Sequence, residues 1–205
     1  MSPFQSLAPA LSLLLASALA AQSAPTRQVH GDTLFSQADP AATLIINPAF
    51  RYVGGQTIDI LKVAGAEQYF FIDAAPDSAI RRFYWIQVEY FYPSNSHSYN
   101  YSGIKNQKPL MLGRLDFASD VRVGPNYFTD DDRPGSDSKA AEEFLRAKGF
   151  NIAGTFITLR MFHLTDASKR RELMIIYGEA LPDSSAEQRI KSGITAHAQG
   201  NIKVF

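Results

Sequence analysis

Glu89 sits where a carboxylate is hard to keep charged. In Arg81 to Gly103, RRFYWIQVEYFYPSNSHSYNYSG, it lies between Trp85 and Phe91 on the odd-numbered side of an alternating apolar run, with Gln87 as the other polar member of that side. An acid enclosed by rings must find a cation or hydrogen bonds, or its pKa rises until it keeps its proton. Arg160 and His163 interrupt a second apolar run, FITLRMFHL, in the same manner. Arg160 shares a side with Phe156, Thr158 and Phe162, so Glu89 and Arg160 are expected to face a common ring-lined cavity, as an ion pair or as groups that hold a ligand. The competing arrangement, favoured by the rarity of buried charges, leaves Glu89 on an open face and lets Arg160 reach water at the rim. His163 alternates with Leu159 and Met161 and reads as a core or rim histidine. Were all three to converge, Glu89 with His163 or a tyrosine could exchange protons with a substrate whose anionic group Arg160 holds.

The same stretch carries five of the nine tyrosines and the single tryptophan. It changes character at Pro93. Before it, the alternation is that of a strand covered on both sides, because only half of the odd-numbered set is polar. After it, SNSHSYNYSG has the Tyr/Ser/Asn composition of adaptable recognition loops, presenting His97, Tyr99 and Tyr101. The expected ligand-contacting set is therefore Trp85, Gln87, Glu89, Phe91, His97, Tyr99, Tyr101 and Arg160. Asn100-Tyr101-Ser102 is an N-glycosylation sequon, meaningful only in a host that glycosylates.

Other chemistry is sparse. The sequence has no G-x-S-x-G elbow, no phosphate-binding glycine loop and no H-E-x-x-H. Cysteine is absent, and the four histidines have no ligand spacing. The acidic loop FTDDDRPGSDS offers Asp130, Asp132 and Asp137 as weak calcium ligands, but Pro134 stands where a calcium-binding loop needs its third ligand. A solvated loop leading into a helix N-terminus explains the same acids more simply. No cofactor is expected.

These residues need elements to position them. From Thr43 onward, apolar residues recur at period two between Gly, Pro, Asn and Asp clusters, which is strand-and-turn patterning. Strands are expected over Ala49 to Val53, Thr57 to Val63, Gln68 to Asp73, Arg82 to Tyr92 and Leu110 to Val123, with Gly54-Gly55 as a turn or bulge. On the last, Arg114, Asp116, Asp120 and Arg122 form a side read as solvated. Asp137 or Ser138 can cap a helix to Lys148, with Glu142 and Arg146 as an i,i+4 pair and Gly149 at the left-handed position after it. A hairpin with a loop from Thr165 to Arg171 follows, then a helix opened by Ser184 and ended near Gly200, and an apolar tail that could add a strand. The order predicts an α+β fold in one domain from 43 to 205, mainly an antiparallel sheet of six to eight strands with two helices packed on it.

Ahead of the domain, Leu7 to Ala21 is an apolar run of small and aliphatic residues, and Ala18-Leu19-Ala20 is an A-x-A cleavage site. Residues 1–20 read as a secretory signal peptide, too short and Ala-rich for a membrane span of roughly 20 residues, and residues 21–42 as a flexible lead-in. Lys plus Arg equals Asp plus Glu, 20 each, without long blocks of either sign. That balance argues against nucleic-acid binding and a polybasic membrane anchor. The expectation is a secreted, monomeric binding or interaction protein for a small apolar molecule, a glycan or a protein. A secreted acid/base enzyme is the alternative, and a ring-rich strand at a sheet edge would pair two chains. If residues 1–20 are cleaved on export, mass spectrometry of the secreted protein should find Ala21 at its N-terminus; an unprocessed Met1 would contradict the assignment.

Overall fold

A computed structural model describes residues 27–125, 128 and 131–205. The segment expected to be a signal peptide, the first part of the expected lead-in and Asp130 lie outside these. In chain order the elements are β1 (Gln28–His30), β2 (Thr33–Ser36), β3 (Ala42–Ile46), β4 (Arg51–Ile60), β5 (Ala64–Ala74), β6 (Ile80–Phe91), β7 (Lys108–Leu112), β8 (Leu115–Pro125), α1 (Asp137–Ala147), β9 (Thr155–Leu164), β10 (Arg171–Ala180), α2 (Glu187–Asn201) and β11 (Ile202–Val204). They build the α+β fold that the patterning predicts. One antiparallel sheet has seven strands in the order β4-β5-β6-β10-β9-β8-β7, and the other has four, β1-β2-β3-β11.

The ring-rich strand β6 is interior to the larger sheet, between β5 and β10. It is therefore not an edge that could pair two chains. From Phe83 to Val88 every residue is buried. Tyr84, Ile86 and Val88 join a core shared with α2 and the four-stranded sheet. Phe83 and Trp85 point the other way, into a second core with Ala141 and Leu145 of α1, with Phe128, and with Tyr101 and Ile104 of the loop after β6. Covering on both sides is what allows rings at successive positions. Among the described residues, no helix is long and apolar enough to cross a membrane.

Local signals explain most boundaries. Ser136 accepts from the Lys139 amide as the α1 N-cap, one residue before the predicted cap, and Arg146 bonds Glu142 at 2.9 Å. Gly149 has φ +84°, the left-handed position that the Gly after a helix supplies, and Phe150 N–H donates to the Leu145 carbonyl. Asp183, rather than Ser184, caps the single 3-10 turn that leads into α2. Gly54 and Gly55 do not separate two strands. They lie within the continuous strand β4, paired with Phe70 and Tyr69, just after a bulge at Val53.

Two expectations need correction. Arg27 to Ala42 is not a flexible lead-in in this structure: β1 and β2 pair with each other and with β3, and Leu34 is fully buried. Its polar residues hid the alternation because only one side of so short a strand is covered. The strand expected from Leu110 to Val123 is a hairpin, β7 to β8, closed between Leu112 and Leu115. Gly113 at φ +55° reverses the chain there, so Met111 lies opposite Asp116 and is exposed rather than sharing Phe117's side.

Close approach at one glycine gives a test. A Cβ on Gly178 would stand 2.2 Å from the Phe83 ring on the neighbouring strand. Both residues are held between two cores, so the ring has little room to retreat. Gly178→Ala should destabilise the protein by about 3 kcal/mol in urea unfolding.

Candidate functional site

On the α1-facing side, the polar residues of β4, β5 and β6 form one continuous row. Gln56 of β4, Gln68 of β5 and Gln87 of β6 lie side by side across the sheet. Gln56 Nε2 donates to Gln68 Oε1 at 2.8 Å, and Gln68 Nε2 donates to Gln87 Oε1 at 2.9 Å. Gln87 Nε2 then donates to Glu89 Oε2 at 2.8 Å. The first turn of α1 supplies the remaining acceptors: Ala140 O for Gln56, Asp137 O for Gln68 and Asp137 Oδ2 for Gln87. A carbonyl oxygen can accept twice, so the helix keeps its own ladder while serving the sheet.

At the end of this row three acids gather. Glu89 and Glu172 are direct cross-strand partners of β6 and β10, a relation that puts Cβ atoms roughly 5 Å apart. Asp137 approaches from α1 through the Gln87 amide. Burial, reinforced by the Asp137 charge, pushes Glu89 up to about 7 against the lowering influence of Tyr99 and Gln87. Burial and the Glu89 charge hold Glu172 well above the ordinary carboxylate range. Burial also raises Asp137. Glu172 is only 4% exposed, and its Oε2 has no hydrogen-bond partner among the described residues. Among the described residues, no Lys or Arg pairs with any of the three. Like charges opposite each other repel, so at neutral pH the pair retains a proton or needs a cation.

A row of rings covers the acids. Phe91 stacks on Tyr99 at 4.5 Å between centroids, Tyr99 on Tyr101 at 6.2 Å, and Tyr101 on Phe162 at 4.6 Å. The Tyr99 hydroxyl lies near enough to Glu89 to favour its ionised form, yet it makes no bond of full geometry; the Tyr99 and Tyr101 hydroxyls are both buried with no hydrogen-bond partner among the described residues. The loop is pinned by Tyr99 N–H to Lys169 O at 2.8 Å and by Arg170, whose guanidinium reaches His97 O and Tyr92 O.

The structure thus divides the predicted set. Glu89, Gln87, Phe91, Tyr99 and Tyr101 come together, and Trp85 lies deeper, stacked on Phe128. The tyrosines lie down on the sheet instead of presenting a surface, and His97 alone is exposed, its ring 5.8 Å from Phe91. Arg160 does share Glu89's side, but its partner is Asp120, at 2.9 and 2.6 Å, and it stacks over Phe162. Asp120, expected on a solvated face, is buried. His163 faces the opposite side, against Phe117, with Nδ1 2.7 Å from Asp116 O. Glu89, Arg160 and His163 therefore do not converge. Asn100 is exposed, its amide oxygen accepting from Ser102 N–H and hydroxyl. Asp132 is exposed and Asp137 turns toward Gln87; among the described residues no three acids or histidines are arranged to hold a metal. Glu172 and Gln68 were missed, although each interrupts an apolar side of its strand. Comparison with protein-family models, curated proteins and solved structures finds no match for this chain.

The raised acid pair sets a pH dependence. Between about 4.5 and 7 folded Glu89 keeps a proton that the unfolded chain releases, so stability falls as pH rises through that window. The drop should be on the order of 3 kcal/mol. Urea unfolding at pH 5 and pH 8 measures it, and Glu89→Gln should shrink the difference; equal stability at both pH values would contradict the assignment.

Proposed function

We propose that the protein is an exported, cofactor-free binding protein whose ligand brings a positive charge to the Glu89–Glu172 pair beneath the ring-stacked loop. The observation that carries this reading is Glu172: a buried carboxyl, opposite a second one, with an oxygen that has no hydrogen-bond partner among the described residues. A small organic ammonium fits that lack. It gives hydrogen bonds to carboxylates, and its charge is favoured by the faces of aromatic rings. Asp137 adds negative charge, and the tyrosine hydroxyls add two further polar atoms without hydrogen-bond partners among the described residues.

Entry in this reading requires the Tyr99–Tyr101 segment to lift. Ring stacking and a few main-chain bonds hold it, and lifting it uncovers the rings of Phe91 and Phe162, an exposure that the bound ligand must offset. Export is supported by the apolar run and A-x-A site of residues 1–20. The acid/base alternative has less support, because the geometry separates Glu89 from both Arg160 and His163.

Butylammonium and its neutral counterpart butanol test the proposal. Butylammonium should raise the melting temperature at pH 8 in a saturable way, and less at pH 5, where the pair is protonated. Butanol should not, and Glu172→Gln should abolish the effect. Equal responses to amine and alcohol, or none to either, would overturn the reading.

A further inference from the structure

The opposite side of the large sheet holds an opening that the acid site does not use. Between the β7–β8 hairpin and α2 lies a cleft of about 400 Å³, within the size range of small-molecule sites. Its floor is apolar: Leu110, Val121 and Leu159, all belonging to the α2-facing core. Its rim is basic. Lys108 enters from β7 and Lys191 from α2, with Thr195 one helical turn beyond Lys191 on the same side.

The partners of the lining groups decide what the cleft suits. Both lysines are exposed, and neither ammonium group has an acidic partner among the described residues. The carboxylate in the lining is Asp120, and it is already bound by Arg160 and by Arg122, at 3.3 Å. Ser119 and Ser192 donate to main-chain carbonyls, of Lys108 and Arg189, so their protons are committed. What stays without a partner among the described residues is two positive charges, the Thr195 hydroxyl and the Asn106 amide, above an apolar floor.

We infer that this cleft is a binding site for an amphiphilic anion, a carboxylate with an unbranched apolar tail. The head would lie between Lys108 and Lys191 with Thr195 as a further donor, and the tail would run over Leu110, Val121 and Leu159. The volume accommodates about a dozen non-hydrogen atoms at the ~30 Å³ that one water occupies in the liquid. A tail of ten carbons with its carboxylate is of that size. The site shares no residue with the acid pair, so the two proposals stand or fall separately.

Decanoate and 1-decanol, below their aggregation concentrations, are the probes, with titration calorimetry as the readout. Decanoate should bind the wild-type protein saturably at a ratio of one. Lys108→Gln/Lys191→Gln, on exposed positions, should weaken decanoate at least tenfold while changing decanol less than twofold. Thr195→Trp, which fills the cleft from the helix, should weaken both, and Glu172→Gln should change neither. Circular dichroism melts establish that each variant is folded. Absence of saturable decanoate binding to the wild type, or equal losses of decanoate and decanol in the lysine variant, would overturn the inference.

Discussion

A sheet covered on both sides offers no water to the polar groups it encloses. The seven-stranded sheet is in that position, and its strands β5, β6, β9 and β10 all carry polar residues on the α1-facing side. Every such residue must be answered from within the layer. The first turn of α1 lies where its carbonyls can take the glutamine amides, and Arg160 is matched by Asp120 one strand away. The rule is broken by the Thr158 hydroxyl on β9 and, with a carboxyl rather than a neutral group, by Glu172; an unanswered buried acid is the costlier exception, and such exceptions concentrate at sites with a purpose beyond stability.

Alternation and punctuation made much of the fold legible. β5, β6, β9, β10 and α1 follow from period-two runs, a cap, an i,i+4 ion pair and a left-handed glycine. What stayed hidden is non-local. β1 and β2 are short, polar and covered on one side, so nothing within them distinguishes a strand from a tail. The β7–β8 reversal rests on Gly113 inside an alternation that continues through it. Strand order was equally out of reach: β10 returns to pair with β6, some eighty residues earlier, and only that return sets Glu172 opposite Glu89.

The site was half legible for the same reason. Glu89 announces itself by parity alone, because the conflict between an acid and its ring neighbours lies within one strand. Its counterpart does not, since Glu172 adjoins Arg170 and Arg171 and resembles the end of a turn. Parity also cannot say which side of a strand will be covered, so Asp120 was assigned to water and Arg160 to Glu89. The tyrosine loop shows the limit of composition: Tyr/Ser/Asn content describes a segment that can adapt, but not whether its rings turn outward or lie against the sheet.

The glutamine row has one further consequence. Each NH₂ is identified by its two acceptors, one of which is usually a fixed helix carbonyl, so all three amides run head to tail in a single sense toward Glu89. Sliding β5 by two residues along β6 would leave every apolar side chain on its proper side. It would also bring Ala66 or Phe70 opposite Gln87 and strand the amides. Where greasy surfaces tolerate several alignments of three neighbouring strands, this directional chain admits one, and so carries information about how the chain is to be assembled rather than merely energy that holds it.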